Sequence, residues 1–109
     1  MLPVSAKLTT SVVAIYTVRS PATRAIIKMV RAVNNSGTSK TFNVYVNTGS
    51  GDMLFSALNQ TLDPNYMALD IYEYELSTGH TISASCSLDN SVDLFISGHE
   101  LESNGRILT

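Results

Sequence analysis

Polar and apolar residues alternate with a period of two along much of the chain. Ile82, Ala84, Cys86 and Leu88 alternate with Thr81, Ser83, Ser85 and Ser87, the pattern of a strand with one face buried and one in water. Phe42, Val44 and Val46 alternate in the same way with Thr41, Asn43, Tyr45 and Asn47. Val92, Leu94 and Ile96 alternate with Asp93, Phe95 and Ser97, where Phe95 is an apolar residue on the nominally polar face. Met67, Leu69 and Ile71 form a further set opposite Tyr66, Ala68, Asp70 and Tyr72, and are expected to face the core.

Two segments are apolar on both faces, 11–18 and 24–33. The second is rich in β-branched residues, with Pro21 before it and Asn34-Asn35-Ser36-Gly37 after it. These features predict a long central strand rather than a helix, with Lys28 and Arg31 on opposite faces. Turn residues punctuate the strands at Asn35-Ser36-Gly37, Gly49-Ser50-Gly51-Asp52, Asp63-Pro64-Asn65, Ser77-Thr78-Gly79 and Leu88-Asp89-Asn90. Short alternating strands between such turns predict an all-β, antiparallel sandwich or barrel. Only 53–62 departs from this, since Leu54, Phe55, Leu58 and Leu62 have the loose spacing of a helical turn or an irregular crossing. The expected organisation is an N-terminal arm over 1–11, a β-domain over 12–100 and a C-terminal arm over 101–109. Extended ends of this kind either fray or add a strand to a neighbouring subunit's sheet.

Composition narrows the function. With seven Lys and Arg against nine Asp and Glu, a net charge of −2 gives no general attraction to nucleic acid. No run approaches the ~18 apolar residues of a membrane span, and 1–7 shows no secretory pattern. A single cysteine, Cys86, allows no intramolecular disulfide. Neither nucleic acid nor membrane is therefore an expected partner.

Candidate chemistry is sparse. A nucleophile needs a base beside it, and the two histidines, His80 and His99, both fall near strand ends. The spacing of His99, Glu100 and Glu102 fits no defined zinc motif. Gly49-Ser50-Gly51-Asp52 lacks the Lys-Ser/Thr ending of a phosphate loop. No catalytic, cofactor or metal residue is assigned, and the chain is not expected to be an enzyme. Two groups suit protein contacts instead. Tyr66, Tyr72 and Tyr74 share one strand parity and are expected to face outward, as an interface or as ordinary cross-strand pairs on a wet sheet. Arg24, Lys28 and Arg31 make a local basic region, suited to an acidic protein surface or simply to solvent, with no interleaved aromatics to suggest nucleic acid.

Several stretches resemble segments of small virion proteins of tailed bacteriophages. They are Ile15-Tyr16-Thr17-Val18 with Pro21-Ala22-Thr23-Arg24-Ala25-Ile26-Ile27-Lys28, then Val33-Asn34-Asn35-Ser36-Gly37 with Phe42-Asn43-Val44-Tyr45-Val46, then 76–84, and finally Val92-Asp93-Leu94-Phe95-Ile96-Ser97-Gly98-His99-Glu100. This chain departs from that pattern in the inserted Arg19-Ser20, in Thr23 at a common glycine position and in His80 at a usual acid. The resemblance implies a jelly-roll-like β-sandwich on the surface of a phage particle, on the head rather than the tail, made in the host cytoplasm. It implies a decoration (cement) protein that bridges major-capsid subunits and associates with copies of itself as a dimer or trimer. A tail, adaptor or head-fibre module that serves tail assembly or binds a host glycan is the alternative.

Overall fold

The computed structural model describes residues 2–55, 60–70 and 73–108. Among them are ten strands and no helix. The strands are β1 (Val4–Lys7), β2 (Val13–Thr17), β3 (Arg24–Asn34), β4 (Lys40–Asn47), β5 (Asp52–Leu54), β6 (Gln60–Leu62), β7 (Met67–Asp70), β8 (Tyr74–Ser77), β9 (Thr81–Cys86) and β10 (Val92–Leu101). One sheet has the order β1-β10-β3, with β7 and β8 one after the other along the far side of β3. The other has the order β2-β9-β4, with β6 and β5 likewise sharing the far side of β4. Every pairing is antiparallel.

The pairs are nested. β1 meets β10, β2 meets β9, β3 meets β7 and β8, and β4 meets β5 and β6. Successive pairs fall in alternate sheets, so one long antiparallel ribbon is wrapped into two layers. With β5–β6 and β7–β8 each counted as one interrupted strand, this is the eight-stranded jelly roll. The layers close over Phe42, Val44, Val46, Ile82 and Ala84 from one sheet and Ile27, Val30, Ala32, Leu76, Leu94 and Ile96 from the other. Burying each of the larger side chains contributes roughly 1.5–3 kcal/mol.

The long β3 changes phase midway. Ser97 pairs with Met29 but Gly98 pairs with Ile27, so Lys28 is an extra residue in a β-bulge. Before the bulge the buried positions are Ala25 and Ile27; after it they are Val30, Ala32 and Asn34. Arg24, Ile26 and Lys28 therefore share the outer face with Met29, Arg31 and Val33. The expectation that Lys28 and Arg31 lie on opposite faces is corrected by this single inserted residue.

The ends also differ from the expected arms. Residues 4–7 are the edge strand of the first sheet, in register from Val4–Ile96 to Lys7–Asp93, and Leu2 and Leu8 on either side are buried. At the other end β10 runs on to Leu101, and the tail folds back through a Leu101–Ile107 bridge and a Leu108 N–H bond to the Glu100 carbonyl (2.7 Å). Leu2, Leu8 and Leu108 are thus packed within the chain, whereas Ile107 is exposed. The segment 53–62, where a helical turn was one reading, carries β5 and β6 instead, and 56–59 lie outside the described residues. In β7 the core-facing residue is Ala68, paired with buried Ala32, while Met67 is 46% exposed, so the expected parity is reversed.

At one end of the sandwich a fully buried asparagine ties the loops together. The Asn34 amide nitrogen donates to the carbonyls of Thr38 (2.9 Å), Leu62 (3.1 Å) and Asp63 (3.2 Å). Its oxygen accepts from the Ser36 N–H (2.9 Å) and hydroxyl (2.7 Å). Buried carbonyls without donors are costly, and here one side chain serves three of them.

Candidate functional site

The outer face of β3 and its neighbours gathers the cations singled out in the sequence. The guanidinium of Arg24 lies 3.7 Å from Glu75, and the Lys28 ammonium is bonded to the Glu73 carboxylate. That hydrogen bond, and then the charge of Lys28, hold the Glu73 carboxyl below its ordinary range. Arg31 differs from both. Its guanidinium carbon sits 4.9 Å from the centroid of the Phe95 ring, a cation–π arrangement, and its Nε is buried without a hydrogen-bond partner among the described residues. Ladder register makes this pair, because Phe95 is directly opposite Arg31. Across this face the basic region of the sequence is largely matched by its own acids.

Beside the Arg31–Phe95 pair, Pro3, Val4, Ser5, Met29, Ile96 and Ser97 complete a shallow recess of about 240 Å³. A second depression adjoins it over Ser5, Ala6, Lys7 and Asp93. Partial burial pushes the Asp93 carboxyl up, but bonds from Lys7 (2.9 Å) and from the Asn35 amide (3.1 Å) outweigh it, and the group titrates below its usual range. This face offers a mixed apolar and charged surface around one aromatic–arginine centre. Met29 and Pro3 were not singled out in the sequence. Phe95 was visible there as an apolar residue on a polar parity.

The tyrosines do not form one row. Tyr66 is 62% exposed in the loop before β7, with its N–H bonded to the Asp63 carbonyl (3.1 Å). Tyr72 lies outside the described residues. Tyr74 is opposite buried Ile27 and partly buried against the core, in a T-shaped pair with Phe55 whose ring centroids are 5.2 Å apart. Its assignment to an outward interface is corrected, because the even-numbered positions, Ala68 in β7 and Tyr74 in β8, are the ones packed against the core.

A second, more polar cleft of about 340 Å³ opens along the side where β1 and β2 lie, lined by Val4, Ala14–Thr17, Arg19, Ser20, Pro21 and Glu100. At its floor the buried Tyr16 hydroxyl donates to the Glu100 carboxylate at 2.6 Å. Burial first, then the bond to Glu100 and its negative charge, push the Tyr16 phenol far above its ordinary value of 10.0.

The reactive side chains of the sequence fall apart in space. His80 closes the β8–β9 turn by accepting the Ser77 N–H at its Nδ1 (3.0 Å), whereas His99 lies opposite Ile26 on the outer face of the first sheet. Cys86 is buried, with its thiol directed to the Leu88 carbonyl (2.9 Å). Among the described residues no group of three or more His, Cys, Asp or Glu side chains is placed to hold a metal ion. Set against known proteins, the chain shows no significant match to any protein-family model, to any curated protein or to any solved structure.

Proposed function

We propose that this chain is a structural protein of a virus particle, a head-decoration domain of the tailed-bacteriophage kind that bridges neighbouring major-capsid subunits and converts no substrate. The observation that carries the reading is the nested order of the two sheets, β1-β10-β3 facing β2-β9-β4. Jelly rolls of this order are an architecture of viral capsid and lectin domains, and the segments that build it here are those whose motifs resemble phage virion proteins. Fold alone does not set function, so the surface matters too. Arginine and aromatic side chains are favoured anchors at protein interfaces, and the Arg31–Phe95 pair beside the Met29 recess has that chemistry. Arg24 and Lys28, already paired with acids, make a rim, and exposed Tyr66 stands at the loop end.

The mechanism is passive. A rigid frame binds the assembled shell and not its free subunits, and so favours assembly by mass action. Each copy makes a modest contact, and symmetry repeats it many times over the head. Gold labelling and quantitative mass spectrometry of purified particles test this, with several hundred copies over the head expected. A handful of copies at the tail would instead support a tail or head-fibre module binding a host glycan, a reading favoured by the polar cleft above Tyr16 and Glu100. Absence from the particle would overturn both.

A further inference from the structure

Past Leu101 the chain turns back through a tight hairpin. The Glu102 N–H donates to the Arg106 carbonyl and the Gly105 N–H to the Glu102 carbonyl, both at 2.9 Å. Ser103, Asn104 and Gly105 make the loop, and Gly105 takes the left-handed backbone (φ 84°) that closes three-residue hairpins. The Leu101 carbonyl is taken by the Thr23 N–H from the β3 side (2.8 Å), so the returning tail lies along the opposite side of β10. There β1 reaches only as far as Ile96, and the Ile107 bridge and the Leu108 N–H cover what it leaves open. An uncovered sheet edge is a row of unpaired backbone groups, and here the tail is its cover.

Asn104-Gly105 is the one Asn-Gly step in the sequence. Asn104 is exposed, and its side-chain oxygen accepts the Arg106 N–H at 2.9 Å. That donor polarises the side-chain carbonyl and stabilises negative charge on its oxygen when a nucleophile adds to Cγ. The nucleophile is the next backbone nitrogen. It belongs to a residue with no side chain, in open space. Other described asparagines are held differently. The Asn34 amide nitrogen donates to three carbonyls, and that of Asn35 to the Asn90 carbonyl and the Asp93 carboxylate. Expelling ammonia from either breaks those bonds. Asn47 precedes β-branched Thr48, Asn65 precedes Tyr66, and Asn90 precedes the buried Ser91.

We propose that Asn104 is a self-modifying site whose reaction unlatches the C-terminal tail from β10. The Gly105 nitrogen gives its proton to hydroxide and bonds to the Asn104 Cγ. The Cγ–Nδ2 bond breaks, and ammonia leaves with a proton taken from water, which restores the hydroxide. The nitrogen of the resulting succinimide carries no hydrogen, so the bond to the Glu102 carbonyl is lost at this stage. Water then opens the ring. Breaking the new N–Cγ bond gives aspartate; breaking the original Asn104–Gly105 peptide bond gives isoaspartate, with the chain routed through the side chain. Water enters, ammonia leaves, and nothing is oxidised or reduced. The isoaspartate adds a methylene to the loop that both hairpin bonds span, so neither closes, and Ile107 and Leu108 lose their hold. The aspartate keeps the natural backbone and an oxygen for the Arg106 N–H, and the hairpin stays shut. The change runs one way and belongs to the isolated chain, so its test is separate from that of the particle role.

The test ages the folded natural chain in mildly alkaline buffer at physiological temperature and follows each asparagine by peptide mass spectrometry. Isoaspartate is counted by enzymatic methylation. Conversion at Asn104 is expected at least about tenfold faster than at Asn35, Asn47, Asn65 or Asn90. Equal rates overturn the proposal. Hydrogen exchange then compares three chains: fresh, aged and enriched in isoaspartate, and an Asn104→Asp variant that has the acid without the extra methylene. The amides of Glu102 and Leu108 are expected to lose protection in the isoaspartyl chain alone, and trypsin to cut after Arg106 faster there, because cleavage follows the population of the open form. Protection of Leu108 that survives in the isoaspartyl chain overturns the unlatching. So does equal loss in Asn104→Asp, which would assign the effect to charge instead of to the lengthened loop.

Discussion

Gly98 and Ile26 approach so closely that a Cβ on the glycine would stand 2.0 Å from the Ile26 carbonyl oxygen. The contact is part of the bulge that inserts Lys28, because Gly98 faces β3 where the two strands fall out of step. Backbone, not a flexible side chain, occupies the space, so nothing can yield cheaply. Gly98→Ala is expected to destabilise the fold by about 3 kcal/mol or more, read as a lower urea midpoint. Gly37→Ala, with open space around the Cβ and no left-handed backbone, should stay within about 0.5 kcal/mol of the natural chain.

Asn34 supplies the second prediction. Its amide shares two hydrogens among three loop carbonyls, from Thr38, Leu62 and Asp63, and the whole side chain is out of water. Asn34→Asp keeps the shape but turns the donor into a carboxylate facing those carbonyls. A loss of about 3 kcal/mol is expected, the order of a buried charge left without its partner. Thermal unfolding followed by circular dichroism measures it. Asn35→Ala, at an exposed position with bonds to Asn90 and Asp93, should cost about 1 kcal/mol or less.

These two residues mark where sequence reading succeeds and where it stops. The strands β4, β9 and β10 were legible because Phe42, Ile82 and Leu94 sit in clean alternation over a half-buried face. The bulge was not, because Ile26 and Ile27 are both apolar and hide the change of phase at Lys28. Parity in β7 is hidden too: hydropathy assigns Met67 inward, but register sets Met67 opposite Val33 on the outer face and Ala68 opposite buried Ala32. The nesting of strands could not be read from local pattern either, since β1 pairs with a strand more than eighty residues away. For the candidate site, the cations were visible, but their partners Glu73, Glu75 and Phe95 are set by ladder register and lie far along the chain.

Tyr16 and Glu100 give a pH signature. The folded-state phenol titrates well above its ordinary value of 10.0, so the folded chain holds a proton that the unfolded chain releases. Stability from this group is complete below pH 10 and is lost as pH rises further. Urea unfolding should therefore show a decline in the natural chain above about pH 10 that is smaller in Tyr16→Phe. At neutral pH the same variant should cost about 1.5–3 kcal/mol, because the Glu100 carboxylate loses a charge-assisted bond. Equal pH slopes in the two proteins would reject the assignment.

The surface of the first sheet separates an anchor from a rim. Lys28 is exposed and matched by Glu73, and such solvent-screened surface pairs contribute little to stability. Removing Lys28 also uncovers Glu73, leaving the face slightly more acidic without opening it. Arg31 is held on Phe95 with part of its guanidinium already out of water, so little ordering remains to be lost when a partner covers it. If this face binds the shell, Arg31→Ala and Phe95→Ala should each weaken binding to undecorated heads by about tenfold or more, whereas Lys28→Ala should change it by less than about threefold. Heads decorated with the natural chain should release their genome at a higher temperature than bare heads, and heads offered Arg31→Ala should behave as bare ones. The reverse order, with Lys28→Ala the more damaging, would place the contact on the rim and move the anchor away from Phe95.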